Sequence, residues 1–379
     1  MKVNKMEQNK YLKIKDQPTD KLQELLRQLR QDKENKIDYI ADANQLSATY
    51  DVGTKTYKLN LLPSTMESLN PTDTKAFEIT DICHQQIAVK TQIPKIFYDR
   101  LREKYPELLL QNINELIHDK DNKIMVRTLY GRARALLSNR YQPIDNYDVM
   151  ACALKNFDLI QKRDNININI MRADVTDSHF YLKVYSPDFS AIIGKTETNT
   201  GDKVHGGIII SNSEVGQGRF SVKLFIAVIQ CNNGMISEKG LSRVHIGSSK
   251  EDQTIEWSER TIELDDATLF SKLEDLIHTG FQREKFNTWI DELNEKASTP
   301  ITKPIVAIKN VVRDYGIPKE ETDQLLLKFS QYGYTQWGLT QTVTDHAQSQ
   351  KSYNKQIELE KAGADIMTRK VEVLIKEEE

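Results

Sequence analysis

Residues 123–150 read KIMVRTLYGRARALLSNRYQPIDNYDVM, and the organisation of the chain turns on how they fold. Apolar side chains dominate 123–138, which predicts two strands joined by a two-residue turn at Tyr130-Gly131. Tyrosine is not the favoured partner of glycine in such a turn. A hairpin about it pairs Leu129 with Arg132, Arg127 with Arg134, and Met125 with Leu136. Arg127 and Arg134 then share a face at about 5 Å between Cβ atoms, where like charges destabilise. Three resolutions stand open: an acid brought from elsewhere in the fold, a bound phosphate, or a different register. The first eighteen residues of the stretch carry five Lys or Arg side chains and no acid, although the whole chain has a net charge of −3. Lys123, Arg127, Arg132, Arg134 and Arg140 are therefore expected to form a positive surface. Tyr130 and Tyr141 are placed either to stack on bases or to pack on their neighbours. PIDNYDV then opens a helix, with Asp145 or Asn146 as its cap.

Upstream, PTDKLQELLRQLRQ predicts an amphipathic helix capped by Thr19 or Asp20, with Leu22, Leu25, Leu26 and Leu29 on one face. YDVGTKTYKLNLL reads as a short hairpin. Residues 71–117 read as a helical block punctuated by Pro94 and Pro106, each suited to a first turn. Downstream, about 163–248 is β-rich. In GRFSVKLFIAVIQC, Phe220, Val222, Leu224, Ile226 and Val228 share one face, while the other passes from Ser221 and Lys223 to apolar residues. Such a strand starts at an edge and ends buried. Asn233-Gly234 is a type I′ turn signal. One long helix is expected over about 266–296, apolar on one face from Leu269 to Leu293, with shorter helices around Gly316 and Pro318 and a charged one at the end.

A chain of 379 residues, 39% hydrophobic and 28% charged, has the composition of a soluble globular protein of one large or two modest domains. No apolar run approaches the roughly 20 residues of a membrane span, and MKVNKMEQNKYLKIKDQ has no apolar core of a signal peptide. Cys83, Cys152 and Cys231 lie far apart, as reduced thiols in a cytoplasm do.

Enzyme motifs are absent or incomplete. FSAIIGKT ends like a phosphate loop, but Phe189 stands where the first glycine is required. The seven histidines form no HxxxH pair. Asp174, Asp177 and Asp188 lack the lysine element of a magnesium-dependent nuclease. No cofactor and no metal is expected. SNSEVGQGRFSVK carries Gly216 and Gly218 around Gln217, followed by Arg219 and Lys223. Such a loop either offers backbone N–H groups to an anion or is a turn with positive φ angles.

Five stretches carry a resemblance: TDICHQQIAVKTQIPKIFYDRL, PELLLQNINELI, VRTLYGRARALLSNRYQPIDNYDV, SNSEVGQGRFSVKLFIAVIQCNNGMI and WGLTQTVTDHAQ. In this order, over roughly 75–350, the chain resembles the phage/plasmid-like proteins of bacteriophages, prophages and conjugative plasmids. The resemblance implies a mobile-element protein of the bacterial cytoplasm and brings no catalytic residue. Mobile elements of this kind often encode strand-annealing proteins, in which a hairpin or meander packs on a long helix and subunits form rings or filaments around a basic groove. That likeness is one of fold alone.

The expectation is thus an α+β fold with a central antiparallel sheet between helical regions, divided at 1–70, 71–300 and 301–379. The expected function is binding of single-stranded DNA or RNA by a homo-oligomer, with no enzymatic step. Lys123, Arg127, Arg132, Arg134, Arg140 and Tyr141 would form the site, extended by Arg219, Lys223 and Arg243. The alternative is a protein-interaction factor, countering a host defence or building a particle, with Trp257, Trp289 and Trp337 as contacts.

Overall fold

In the computed structural model the described residues are 13–14, 19–62, 75–118, 123–139, 141, 144–195, 200–218, 220–228, 233–243 and 259–377. The first half runs β1 (Lys13–Ile14), α1 (Thr19–Glu34), β2 (Lys36–Asp42), β3 (Leu46–Asp51), β4 (Thr56–Leu61), β5 (Lys75–Ile79), α2 (Asp81–Lys90), α3 (Lys95–Lys104), α4 (Pro106–His118), β6 (Lys123–Leu129) and β7 (Arg132–Ser138). Then come α5 (Asn146–Asp164), β8 (Asn169–Val175), β9 (Phe180–Ile193), β10 (Asp202–Asn212), β11 (Ser221–Val228) and β12 (Asn233–Arg243). Helices α6 (Glu259–Gly280), α7 (Arg283–Ala297), α8 (Pro304–Asp314), α9 (Thr322–Tyr332), α10 (Gln336–Gln348), α11 (Tyr353–Thr368) and α12 (Val371–Leu374) follow.

The fold is α+β. The expected central sheet has the order β1-β8-β9-β10-β11-β12, antiparallel except at its β1 edge. A second six-stranded sheet, β2-β6-β7-β5-β4-β3, joins the strands before residue 62 to those after residue 75, so it runs through the boundary expected near 70. Helices α2, α3 and α4 cover one face of this N-terminal sheet with Ile87, Tyr98, Leu101, Leu109 and Ile113.

The central sheet is covered on both faces, which is why residues 180–186 of β9 are all buried, Lys183 included, with no alternation of exposure. Val184, Ile208, Ile210 and Ile226 meet α5, α6 and α7 on one side. Tyr181, Tyr185, Phe225 and Ile236 meet α11 through Tyr353 and Ile357 on the other. The continuous helix expected over 266–296 breaks at Phe281–Gln282. Gln282 is extended (φ −86°, ψ 125°) and starts α7, while Phe281 packs edge-on against Phe157. The apolar faces of α6 and α7 are spent on this core. Asn233-Gly234 does not form the expected turn. It lies within β12, pairing with Val228 and Ala227, and a Cβ at Gly234 would stand 2.4 Å from the Phe225 ring.

Helix α10 is buried almost all round despite its polar sequence. Its threonines satisfy themselves locally: Thr342 Oγ1 donates to Gly338 O (2.8 Å) and Thr344 Oγ1 to Thr340 O (3.0 Å). Among the described residues, no helix is long and apolar enough to cross a membrane.

Candidate functional site

The arginine pair of the hairpin is internal. The turn forms as expected, with Tyr130 (φ +49°) and Gly131 (φ +73°) both left-handed. The register then shifts, so Arg127 pairs with Ala135 and Met125 with Leu137. Arg134 is the extra residue of a bulge, which corrects the expected Arg127–Arg134 and Met125–Leu136 pairs. Both guanidinium groups nevertheless meet acids on the same side. Arg127, only 2% exposed, donates from Nε to Asp38 (2.9 Å) and from Nη1 to the Glu214 carbonyl (2.9 Å), with Asp145 at 3.4 Å from Nη2. Arg134 Nη1 donates to Glu214 Oε2 at 2.7 Å. The acid from elsewhere in the fold is therefore the resolution the chain uses, because a guanidinium sealed from water needs a counter-charge.

Glu214 is the centre of this network. Its Oε1 accepts from Lys36 Nζ (2.7 Å) and from the Asn146 backbone N–H (2.8 Å). The second contact caps α5, a task the sequence assigned to Asp145 or Asn146. Asp145 holds the N-cap position without a side-chain cap bond and takes Lys36 instead, at 2.7 Å. Burial works to raise the Glu214 carboxyl, yet Lys36, Arg134 and the Asn146 N–H outweigh it and hold the pKa below 4.5.

The SNSEVGQG loop delivers Glu214 and joins the two sheets. Val215 packs among Met125, Ala135 and Leu137. Gln86 Nε2 donates to Val215 O (2.7 Å) and Tyr141 Oη to Ser213 O (2.6 Å). Gly216 (φ +69°) lies so close to β7 that a Cβ would stand 2.6 Å from Leu137. These contacts support the turn reading at Gly216, while Gly218 does not take a positive φ.

Those of the remaining expected site residues that are described take separate places. Lys123 stands exposed at the start of β6. Arg132 is exposed and paired with Glu78 at 2.9 Å. Tyr130 Oη donates to Asp32 on α1 (2.8 Å), so its ring is tied down rather than free to stack. Tyr141 is half-buried in the loop contact, and Lys223 is half-buried on β11. Arg140 and Arg219 lie outside the described residues, as does the Arg243 side chain. Of the tryptophans, Trp337 is buried and donates to Asp202 (2.7 Å), Trp289 packs against the core, and Trp257 lies outside the described residues.

Two surface features went unread in the sequence, both on α2 and α3. The first is the turn between these helices, where Val89 (77% exposed), Ile96 (89%) and Phe97 (48%) stand in solvent. The turn is a Schellman motif: Ile93 N–H bonds Ala88 O (3.0 Å), Gln92 N–H bonds Val89 O (3.2 Å), and Gln92 is left-handed at φ +57°. Helix periodicity puts Arg100 and Lys104, both exposed and without partners among the described residues, on the same arc of α3 as Ile96 and Phe97. The second is a cleft of about 600 Å³ between the β3–β4 turn and α2–α3, lined among others by Lys55, His84, Arg102 and Glu103. The signal for the first was present in QIPKIFYDRL, whose apolar residues go round the helix further than one buried face accounts for. Nothing in the sequence placed Lys55 beside His84.

Among the described residues, no group of three or more His, Cys, Asp or Glu is arranged to hold a metal ion. No family model matches the chain, and no curated protein or solved structure is significantly similar to it.

Proposed function

We propose that the protein is a non-enzymatic interaction factor of a phage or plasmid that docks a protein partner on the outer face of α3 and the α2–α3 turn. The observation that carries this reading is the exposure of Val89, Ile96 and Phe97 around one rigid turn. Apolar side chains held out by a fully bonded backbone lose little conformational entropy on binding and gain by leaving water. The unpaired Arg100 and Lys104 on the same arc favour a partner whose apolar contact is flanked by acids.

Single-stranded nucleic acid is the second reading. One observation favours it on this same face: the exposed Phe97 ring shares the arc of Arg100 and Lys104, which are unpaired among the described residues, the combination of ring and charge that base stacking uses. A photo-crosslinking amino acid placed at Ile96, in cells expressing the protein, separates the two. A discrete protein adduct whose crosslinked peptide is rich in Asp or Glu supports the proposal. Adducts that nuclease removes replace it with the second reading, and adducts no more frequent than those from a probe at exposed Lys319 overturn both.

A further inference from the structure

The cleft beside α3 keeps two donors after its ion pairs are counted. Three of its acids are matched: Asp81 by Arg102 (2.8 Å), Asp99 by Lys95 (2.5 Å) and Glu78 by Arg132 (2.9 Å). Lys55 has no partner among the described residues. It also sits at φ +55°, a left-handed position in the hairpin loop where glycine or asparagine would fit without strain. A lysine kept in such a slot is an outlier of the kind that accompanies function.

His84 supplies the second unspent donor. The residue is 3% exposed and lines the cleft. Its Nδ1 lies 2.8 Å from Tyr98 Oη. Tyr98 is 1% exposed and has no other acceptor for its O–H among the described residues. Were Nδ1 the donor, that O–H would be orphaned in the core, so the phenol donates to Nδ1. Burial keeps the imidazole neutral, with a pKa pushed down to about 3. The one ring proton therefore sits on Nε2. Among the described residues Nε2 has no partner, and it is not among the sealed, unsatisfied atoms, so it is open to the cleft.

We propose that this cleft binds a small anion carrying a carboxylate or phosphate group, which takes the His84 Nε2–H and the Lys55 ammonium together. Arg102, already oriented by Asp81, adds positive potential. Glu103 on the rim has no partner among the described residues and repels an extended polyanion, which restricts the site to small molecules.

The test is NMR of the ¹⁵N-histidine-labelled full chain, titrated at constant ionic strength with sodium acetate, sodium phosphate or sodium chloride. The free protein is expected to show His84 with Nδ1 bare and Nε2 protonated. Acetate or phosphate should move the Nε2 signal saturably, the more effective of the two naming the ligand group, while chloride leaves it in place. Lys55→Ala, on an exposed turn, should retain the fold and weaken that binding about tenfold, the loss of one charge-assisted hydrogen bond. A proton found on Nδ1, no saturable shift with either oxyanion, or unchanged affinity in Lys55→Ala overturns the proposal.

Discussion

The Glu214 network and the α2–α3 surface hold similar residues and use them in opposite ways. Around Glu214, Arg127, Arg134 and Lys36 are buried or nearly so, and each meets a carboxylate within 3 Å. Around α3, Lys55, Arg100 and Lys104 are exposed and unpaired among the described residues, and large apolar side chains stand beside them. A basic run in the sequence therefore does not reveal its sign at the surface. What reveals it is whether the fold brings acids to it, and here the acids arrive from β2, the α5 cap and the β10–β11 loop. Charge in the first region fixes two sheets against each other. In the second, Arg102 and Lys95 are paired, but Lys55, Arg100 and Lys104 keep no counter-charge among the described residues, which is the condition for binding something else.

The largest effect expected from breaking this contrast is at Glu214. Glu214→Ala leaves Arg134 without a carboxylate and Lys36 with Asp145 alone, and it uncaps α5, at a cost of about 3–5 kcal/mol. A urea titration should show a folded fraction that is small or absent. Arg100→Ala on the other surface should leave the midpoint unchanged. A second buried pair sharpens the point. Lys183 and Glu360 meet at 2.5 Å between the central sheet and α11, both under 5% exposed. Lys183→Met alone should cost nearly as much as the loss of Glu214, since it strands a buried carboxylate. Lys183→Met with Glu360→Leu should recover most of it, to within about 1 kcal/mol of the parent. If the double variant is no better than the single one, the pair does more than neutralise itself.

Acid should find the two regions in sequence. His84 titrates at about 3 in the fold against 6.5 in an unfolded chain, because burial and Arg102 outweigh Asp81 and Asp99. Between those values the unfolded chain binds a proton that the native one refuses, so stability is lost as pH falls below 6.5. Glu214 adds its loss only below 4.5, as pH drops towards its lower folded pKa. The urea midpoint of wild-type protein should therefore decline already between pH 6.5 and 4.5. His84→Gln, which can still accept from Tyr98, should make that decline shallower, leaving the share of His179 and His346, whose pKa burial also lowers, and the steeper loss below it. The smallest effect is at Gln92. Glycine there removes the left-handed strain of the Schellman turn and should stabilise by up to about 1 kcal/mol, a small rise in melting temperature with the exposed Ile96–Phe97 face intact.

Much of the fold was legible because period and punctuation agree. The α1 leucines, the β3–β4 hairpin, the Tyr130-Gly131 turn and the double-faced β11 all follow from patterns local to the chain. The second sheet was not legible, since it joins β2 to β6 across more than 80 residues, and pairing at that distance leaves no local mark. The bulge at Arg134 escaped for the same reason: register is set by what covers the face, and Val215 and Glu214 come from another part of the chain. The like-charge clash of two arginines did foretell a counter-charge, without saying where it lay. Helix α10 misled in the other direction, since threonines and glutamines look like surface until their hydrogen bonds to backbone carbonyls of α10 and α11 are counted. The cleft was hidden because its strain at Lys55 and the tautomer of His84 are properties of conformation, not of composition.

The ion pairs of Arg127 and Arg134 make the basic hairpin an internal support of the fold. That role is tested most directly by replacing Arg127 and Arg134 with alanine, singly and together, and recording two curves for each variant. One is a thermal melt; the other is the salt dependence of fluorescence anisotropy for a short labelled single strand. Each replacement should bring a marked fall in melting temperature, with any oligonucleotide affinity and its salt slope the same as in wild type. Variants that melt like wild type while the slope flattens by about one to two units would contradict that role, and would return the hairpin to the surface as a phosphate-binding strip.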